Sequence, residues 1–121
     1  LVIKYISSIW AGNAFKPRVV FIHVPTYLHV MSVDRYMKEE STRLTDNLID
    51  TCDLVIWDDI GATRLNEYEK SLLLTKIDGR LNLCKSNIYT SNLNSEGLLE
   101  MIDARLASRV WNQSEIIRID D

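Results

Sequence analysis

Two adjacent acids follow an apolar run in the middle of the sequence. Asp58 and Asp59 come directly after residues 54–57, Leu-Val-Ile-Trp, and Gly61 lies two positions further on. A short apolar run that ends at turn-forming residues predicts a buried strand. Two carboxylates at the end of such a strand repel each other, and a divalent cation removes that cost. The pattern therefore favours metal binding. The alternative is that the aspartates only turn the chain and cap the next segment.

Composition limits the classes of protein to which the chain can belong. Its 121 residues, 46% hydrophobic, are enough for one domain. We expect residues 1–121 to belong to a single domain, of which they form a part. The net charge of -3 excludes a strongly basic surface for nucleic acids. A small patch of Lys76, Arg80 and Lys85 remains a possible contact for single-stranded DNA, with a solvated helix face as the alternative. Without a CxxC motif or a long apolar run, we expect reduced thiols in a cytoplasmic protein.

Apolar runs and helical periodicities alternate along the chain, which predicts an α/β fold with a parallel sheet. Besides the run before Asp58, we expect strands at about 19–24, at 87–91 and at 115–119. Helical spacing predicts helices at 1–10, from Thr26 to Met37 and around Leu44, Leu48 and Ile49. A capping box of Asn66 and Glu69 starts another helix. The last expected helix begins near Ser95 and buries Leu98, Leu99, Ile102 and Leu106.

Three segments of the chain together resemble a known family. Residues 54–59, LVIWDD, look like the Walker B segment of AAA+ ATPases. Their continuation into Ile60-Gly61-Ala62 is similar to that of bacterial replicative helicase loaders of the DnaC/DnaI type and of IstB-related transposition helpers. Residues 90–92, Thr-Ser-Asn, resemble the sensor 1 segment, and residues 105–109 resemble the helix that carries the arginine finger. The order and spacing of these segments agree with the family over about residues 19–119.

The resemblance implies a fold and a set of roles. The fold is the parallel-sheet P-loop NTPase core of AAA+ proteins, a three-layer αβα arrangement. Asp58 would hold the Mg²⁺ of a bound ATP, and Asp59 would polarise the attacking water. Asn92 would orient that water and the γ-phosphate. Arg109 would act as the arginine finger on a neighbouring subunit of a homo-oligomer, with Arg105 on the same helical face near the nucleotide. The implied partner is a replicative DNA helicase.

Two departures from the family pattern affect the expected activity. Asp59 stands where many AAA+ proteins have glutamate, and its shorter side chain predicts slow hydrolysis. The sequence contains no G-x-x-x-x-G-K-[ST] motif to cradle phosphates. We therefore expect the first strand and the phosphate-binding loop to lie upstream of Leu1, and this stretch alone to be inactive.

Other interpretations of the same residues remain open. Asn92 is also common in turns, and Arg105 and Arg109 are also typical of a solvated helix C-terminus. His23 and His29 have no acidic partner at metal-ligand spacing in the sequence, so we expect structural roles for both. A phospho-receiver domain also places paired aspartates after a strand, but there the pair follows the first strand. A transposition helper, or an interaction module that keeps the fold without nucleotide chemistry, is the alternative function.

Overall fold

Three parallel strands form the sheet of this protein. A computed structural model describes residues 18–33 and 40–119, apart from the side chain of Ser41. Strand β2 (Leu54–Asp58) lies between β1 (Val19–His23) and β3 (Ser86–Tyr89) and runs parallel to both. The predicted α/β class and parallel sheet are confirmed, with β3 starting and ending earlier than expected. All three strands therefore end at one edge of the sheet.

Helices connect the strands and continue after the last one. They are α1 (Val24–Val33), α2 (Glu40–Thr51), α3 (Glu67–Asn82), α4 (Ser95–Met101), α5 (Ala104–Ala107) and a π-helical turn over Ser108–Asn112. The capping box predicted for α3 is present: Asn66 Oδ1 accepts from the Glu69 N–H at 2.8 Å, and Glu69 Oε1 accepts from the Asn66 N–H at 3.0 Å. Within the described ranges, no helix has the length and apolar character that a membrane span requires.

The apolar core lies mainly on one face of the sheet. Val55 and Trp57 point to that face, and both are fully buried. Every described helix adds a buried apolar side chain to the same cluster: Leu28, Ile49, Leu73, Leu98 and Leu106. On the opposite face, Leu54 and Ile56 are also buried and pack with Val19 and Ile88. The described residues thus supply the sheet and one helical layer of the predicted three-layer arrangement.

The structure corrects several details of the first half of the chain. Because α1 begins at Val24, Thr26 lies inside its first turn and does not cap it. Helix α2 forms as predicted, but only Ile49 of its expected apolar face is buried; Leu44 and Leu48 are 58% and 43% exposed. The predicted helix over residues 1–10, and the continuation of α1 to Met37, lie outside the described residues.

The predicted helix after Ser95 is divided in two. Leu98, Ile102 and Leu106 are buried as expected, whereas Leu99 is exposed. The division lies at Asp103, whose Oδ1 accepts from the Leu106 N–H at 2.8 Å and so starts α5. Burial alone would raise the pKa of Asp103. The hydrogen bond from Leu106 and the charge of a nearby arginine outweigh burial and hold this pKa below its usual value.

The strand predicted at 115–119 is wrong. These residues form no regular structure, and Ile117 and Ile119 are 80% and 88% exposed. A strand exists only where a neighbouring strand accepts and donates its backbone hydrogen bonds. Neither β1 nor β3, the outer strands of the described sheet, pairs with this segment. The β-branched composition that predicted the strand describes what a sheet surface accommodates and is not sufficient without a partner.

Arg80 is buried near the start of β3, where it joins three elements. Only 1% of it is exposed. Its guanidinium donates to the carbonyl oxygens of Ile49 at 2.6 Å, Cys52 at 2.9 Å and Ser86 at 2.7 Å, and to Asn87 Oδ1 at 2.8 Å. Most of these acceptors are backbone carbonyls at the end of α2 and the start of β3. The arginine therefore satisfies backbone groups that would otherwise be buried without donors.

The proposed basic patch does not form. Arg80 is in the core, so it cannot contact a nucleic acid. Lys76 is largely buried and pairs with Asp50 at 3.0 Å, and Lys85 donates to the Thr51 carbonyl at 3.4 Å. The alternative of a solvated helix face is also wrong for Arg80. Instead, Lys76, Arg80 and Lys85 contact groups of α2 and β3 and stabilise the packing of these elements.

Replacing Arg80 with methionine tests this structural role. The variant leaves several buried acceptors without donors, each worth about 1–3 kcal/mol, and should lower the free energy of unfolding by at least about 3 kcal/mol. Urea denaturation of the protein measures the change. The control is Arg64→Met, because Arg64 is exposed and donates a single hydrogen bond to the Glu100 carbonyl; we expect a loss below about 1 kcal/mol. Equal losses in the two variants would contradict the assignment.

Candidate functional site

The ends of the three strands are held together by backbone hydrogen bonds. His23 at the end of β1 is the register partner of Asp58 at the end of β2. Just beyond β3, the Thr90 N–H donates to the Trp57 carbonyl at 3.0 Å, and the Thr90 carbonyl accepts from the Ile60 N–H at 2.9 Å. The carboxyl edge of a parallel sheet is where ligands bind in open α/β folds. Polar side chains from all three strand ends meet here.

The hydroxyl of Thr90 connects the two adjacent acids. It donates to Asp58 Oδ1 at 2.7 Å and accepts from the Asp59 N–H at 2.9 Å. One hydroxyl thus uses its donor and one acceptor position, and both contacts are partly shielded from water. The first contact fixes the carboxylate of Asp58, and the second satisfies the backbone at the point where the chain turns. The Thr90 hydroxyl therefore orients the carboxylate of Asp58 and the backbone of Asp59.

The turn after β2 has an unusual backbone that depends on two residues. Asp59 has a φ of 57° and Gly61 a φ of 83°, both in the left-handed region. Aspartate tolerates this conformation better than most residues, and glycine adopts it without steric cost. A Cβ at Gly61 would also lie 2.8 Å from Leu98 Cδ2 and 3.1 Å from Leu93 Cδ1. Glycine at this position lets the turn pack tightly against the start of α4.

His23 contacts Asp59 across the edge. Its Nε2 lies 3.2 Å from Asp59 Oδ2, and both side chains are 43% exposed. The other ring nitrogen, Nδ1, lies 2.8 Å from the hydroxyl oxygen of Thr26 in the first turn of α1. The imidazole is thereby held with Nε2 toward the acids. The expectation that His23 has no acidic partner considered spacing along the chain only; the parallel register brings the partner into contact.

His23, Asp58 and Asp59 form a set of three oxygen and nitrogen ligands. One ligand atom from each residue lies within 4.8 Å of the others, and each residue is partly accessible to solvent. Asp58 is held from behind by Thr90, and His23 by Thr26. Outer contacts of this kind orient metal ligands in proteins. The arrangement can bind a divalent cation, and it can place a carboxylate beside a water molecule.

Asn92 lies at the same edge. Among the described residues, no hydrogen bond joins it to Asp58 or Asp59. It follows β3 and is exposed, and the preceding Ser91 Oγ accepts from the Leu93 N–H at 3.1 Å in a short turn. Of the segment Thr-Ser-Asn, it is Thr90 that contacts Asp58 and Asp59. The proposed role of Asn92 toward a nucleotide stays a prediction.

The two arginines assigned to nucleotide binding form ion pairs with other carboxylates. Arg105, in α5, is exposed and pairs with Asp103 at 3.2 Å. Arg109, in the π-helical turn, donates from Nε to Asp78 Oδ1 on α3 at 2.8 Å. Arg109 also lines a polar depression of about 240 Å³ that extends along β3 from Ser86 to Tyr89. Within one chain, neither arginine belongs to the candidate site.

Two residues of the site were not assigned from the sequence. Thr90 was part of the segment likened to sensor 1, but its role was given to Asn92. His23 was treated as structural. The sequence did contain a signal for Thr90 and His23. If β1, β2 and β3 are parallel neighbours, the polar residues at the ends of these strands lie next to one another. Aligning the ends of the strands would have placed His23, Asp58 and Thr90 together.

The chain is similar in sequence to a segment of a viral protein. No protein-family model matches the chain. Over 89 residues the chain is 35% identical to L371 of Acanthamoeba polyphaga mimivirus, a protein named for ankyrin repeats. The match covers 74% of this chain but only 11% of the viral protein. Ankyrin repeats are pairs of helices, whereas the described residues contain a parallel sheet, so the shared segment is not of the ankyrin type.

Solved structures show which fold this is. The crystal structure of the DnaC helicase loader superposes with a TM-score of 0.76 at 18% identity, covering 94% of this chain and 67% of that one. Domain III of DnaA from Thermotoga maritima gives 0.70 at 17% identity, covering 89% and 44%. A DnaA bound to AMPPCP and single-stranded DNA gives 0.65 at 20%, covering 77% and 28%. This chain has the AAA+ fold. The predicted P-loop NTPase architecture is confirmed.

The Thr90 hydroxyl offers a direct test of how this AAA+ edge is built. Thr90→Val removes the donor to Asp58 and the acceptor for the Asp59 N–H, and should lower the free energy of unfolding by about 1–3 kcal/mol. Thr90→Ser should recover most of the loss. Thr75→Val is the matched control, since its hydroxyl donates to Ser71 O on an exposed face of α3; we expect less than about 0.5 kcal/mol. A Thr90→Val protein as stable as the wild type would contradict the role of the hydroxyl.

Proposed function

We propose that this chain is the nucleotide-binding AAA+ domain of a protein that acts in the initiation of DNA replication, as a loader of the replicative helicase. The observation that carries the proposal is the carboxyl edge of the sheet, where Thr90 fixes Asp58 and Asp59. The fold shared with a helicase loader and with DnaA supports it. That one of those DnaA structures holds AMPPCP supports ATP as the ligand.

Asp58 is the residue proposed to hold Mg²⁺. Among the described residues its hydrogen bond uses Oδ1 only, which leaves Oδ2 available to a cation. Carboxylate oxygen is the ligand type that Mg²⁺ takes from proteins. When bound with ATP, Mg²⁺ neutralises charge on the phosphoryl oxygens. The part of Asp58 is to present a correctly oriented carboxylate, and the Thr90 hydroxyl orients it by donating to Oδ1.

Asp59 is proposed to orient the attacking water. Its carboxylate is partly exposed and bonded to His23, so a water can reach it from the solvent side. Aspartate reaches one methylene less far than glutamate, and a shift of that size in a positioning group costs about a hundredfold in rate. Hydrolysis by the whole protein should therefore be slow. Such a rate suits a protein that changes state once per loading event.

Arg109 is proposed to act on the nucleotide of a neighbouring subunit, with Arg105 beside it. Among the described residues, the ion pairs of both arginines are with Asp103 and Asp78 and not with Asp58 or Asp59, which is compatible with action in trans. An arginine supplied in this way is worth roughly 10³ to 10⁵ in rate. Because Arg109 is paired with Asp78 at 2.8 Å, it must leave or share that partner when subunits associate. Activity should then depend on the assembly of a homo-oligomer.

The proposal concerns the whole protein. The chain spans about two thirds, 67%, of the solved helicase loader and 11% of the curated viral relative. The phosphate-binding loop that ATP hydrolysis needs has no counterpart among the 121 residues. We propose that residues 1–121 belong to a single domain together with that loop. Single-stranded DNA remains a possible partner, but not through Arg80. No observation favours a transposition helper over a helicase loader.

Exchange of each acid for its amide separates the two roles. Asp58→Asn removes the charge that holds Mg²⁺ and should weaken binding of ATP with Mg²⁺ by at least about tenfold. Asp59→Asn should leave binding within about threefold and reduce turnover by about a hundredfold or more. A fluorescent ATP analogue measures binding, and phosphate release measures turnover, in the intact protein.

Asp53→Asn is the control for these variants, because Asp53 accepts from the Arg18 N–H at the opposite end of β2. If the Asp59→Asn protein turned ATP over as fast as the wild type, the assignment of Asp59 would be wrong. If no nucleotide bound to the wild type at millimolar concentration, the interaction-module alternative would replace the ATPase proposal.

Arg109 and Asp78 give a matched pair of variants. Both Arg109→Ala and Asp78→Asn break the same ion pair, so a structural role predicts similar effects. A finger role predicts that Arg109→Ala lowers turnover at least a hundredfold while Asp78→Asn does not lower it. Turnover per subunit is measured at several protein concentrations, and dilution should reduce it in the wild type. Equal turnover in the two variants would contradict the finger.

A further inference from the structure

We propose that His23, Asp58 and Asp59 bind a divalent transition-metal ion directly, without nucleotide. The site differs from the proposed magnesium position because it includes an imidazole nitrogen and both carboxylates. It does not rest on the proposed ATPase activity. The ligand class is a first-row ion that accepts both nitrogen and oxygen ligands, such as Zn²⁺ or Mn²⁺.

The geometry of the three ligands fits such an ion. His23 Nε2 and Asp59 Oδ2 are 3.2 Å apart, and two ligands at about 2.0–2.1 Å from one tetrahedral ion are about 3.3 Å apart. The carboxylate of Asp58 lies in the same group, within 4.8 Å of the other ligand atoms. Only small side-chain movements separate this arrangement from coordination. The partial exposure of all three residues leaves a path for the ion and a position for water.

Two threonines hold the ligands as outer partners do in metal sites. Thr26 Oγ1 contacts His23 Nδ1 at 2.8 Å, so the ring presents Nε2 to the acids. Thr90 donates to Asp58 Oδ1 at 2.7 Å, which leaves the other oxygen of that carboxylate for the ion. Pre-orientation of this kind typically contributes 10- to 100-fold in metal affinity. The two threonines come from different elements, α1 and the end of β3, and converge on the same cluster.

The imidazole decides which ion the site prefers. Mg²⁺ takes oxygen ligands and keeps most of its waters, so a histidine nitrogen adds little to its binding. A transition ion gains from the nitrogen and also neutralises the two adjacent carboxylates. Such an ion would occupy the carboxylate that is proposed to orient water. If the protein is an ATPase as proposed, the bound transition-metal ion would therefore inhibit turnover.

Electron paramagnetic resonance of added Mn²⁺ tests the proposal on the intact protein without a polyhistidine tag and without nucleotide. We expect about one bound Mn²⁺ per chain and an electron spin echo signal from a directly coordinated imidazole ¹⁴N. His23→Ala should abolish that ¹⁴N signal and lower Mn²⁺ affinity at least about tenfold. Mg²⁺ affinity, measured by calorimetry, should change less than about twofold. His29→Ala is the matched control, since His29 is an exposed histidine of α1 outside the cluster.

Thr26→Val keeps all three ligands and is a second, milder variant. It should lower Mn²⁺ affinity by about tenfold while the ¹⁴N signal remains. Absence of bound Mn²⁺ at millimolar concentration, or bound Mn²⁺ without a ¹⁴N signal, would overturn the proposal. A ¹⁴N signal that survives in His23→Ala would also overturn it. Because nucleotide is absent, none of these results depends on whether the protein hydrolyses ATP.

Discussion

The parallel pairing of β2 with β1 and β3 is the constraint on which the rest of the structure depends. It brings the ends of three strands to one edge, so that His23, Asp58 and Thr90 meet although they are far apart in the sequence. It also places two carboxylates side by side, where repulsion would cost stability unless something compensates it. The Thr90 hydroxyl and the His23 ring provide that compensation in the described structure. A cation at the same place would provide more of it.

At the opposite end of the sheet, a single buried residue, Arg80, stabilises the structure. There the backbone carbonyls at the end of α2 and the start of β3 are buried, and Arg80 supplies the donors they need. A buried charge is tolerated because several acceptors surround the guanidinium. The backbone carbonyls at this end are therefore satisfied by a buried arginine, whereas the other end carries solvent-accessible acids. This division, together with the left-handed turn at Asp59 and Gly61, makes the carboxyl edge the part of the described structure best suited to a ligand.

Sequence patterns predicted the elements better than the contacts between them. The strand before Asp58 and the capping box of α3 depend on local periodicity and local hydrogen bonds, and both were found where expected. The failed strand at 115–119 depends on a partner strand, which no local pattern specifies. Arg80 looked like a surface cation because its position in a helix does not reveal the carbonyls around it. The contact of His23 with Asp59 was missed for the same reason, because the two residues are adjacent only in the sheet.

The proposed binding position of ATP and Mg²⁺ is the carboxyl edge of the sheet. Nuclear magnetic resonance of the ¹⁵N-labelled intact protein tests it most directly, by mapping amide shifts on addition of a non-hydrolysable ATP analogue with and without Mg²⁺. If ATP and Mg²⁺ bind there, the Mg²⁺-dependent shifts are largest at residues 58–61 and at Thr90, whose amides lie at that edge. Shifts that instead concentrate at residues 85–87 and 113–114, in the depression that extends along β3, would contradict binding at the carboxyl edge.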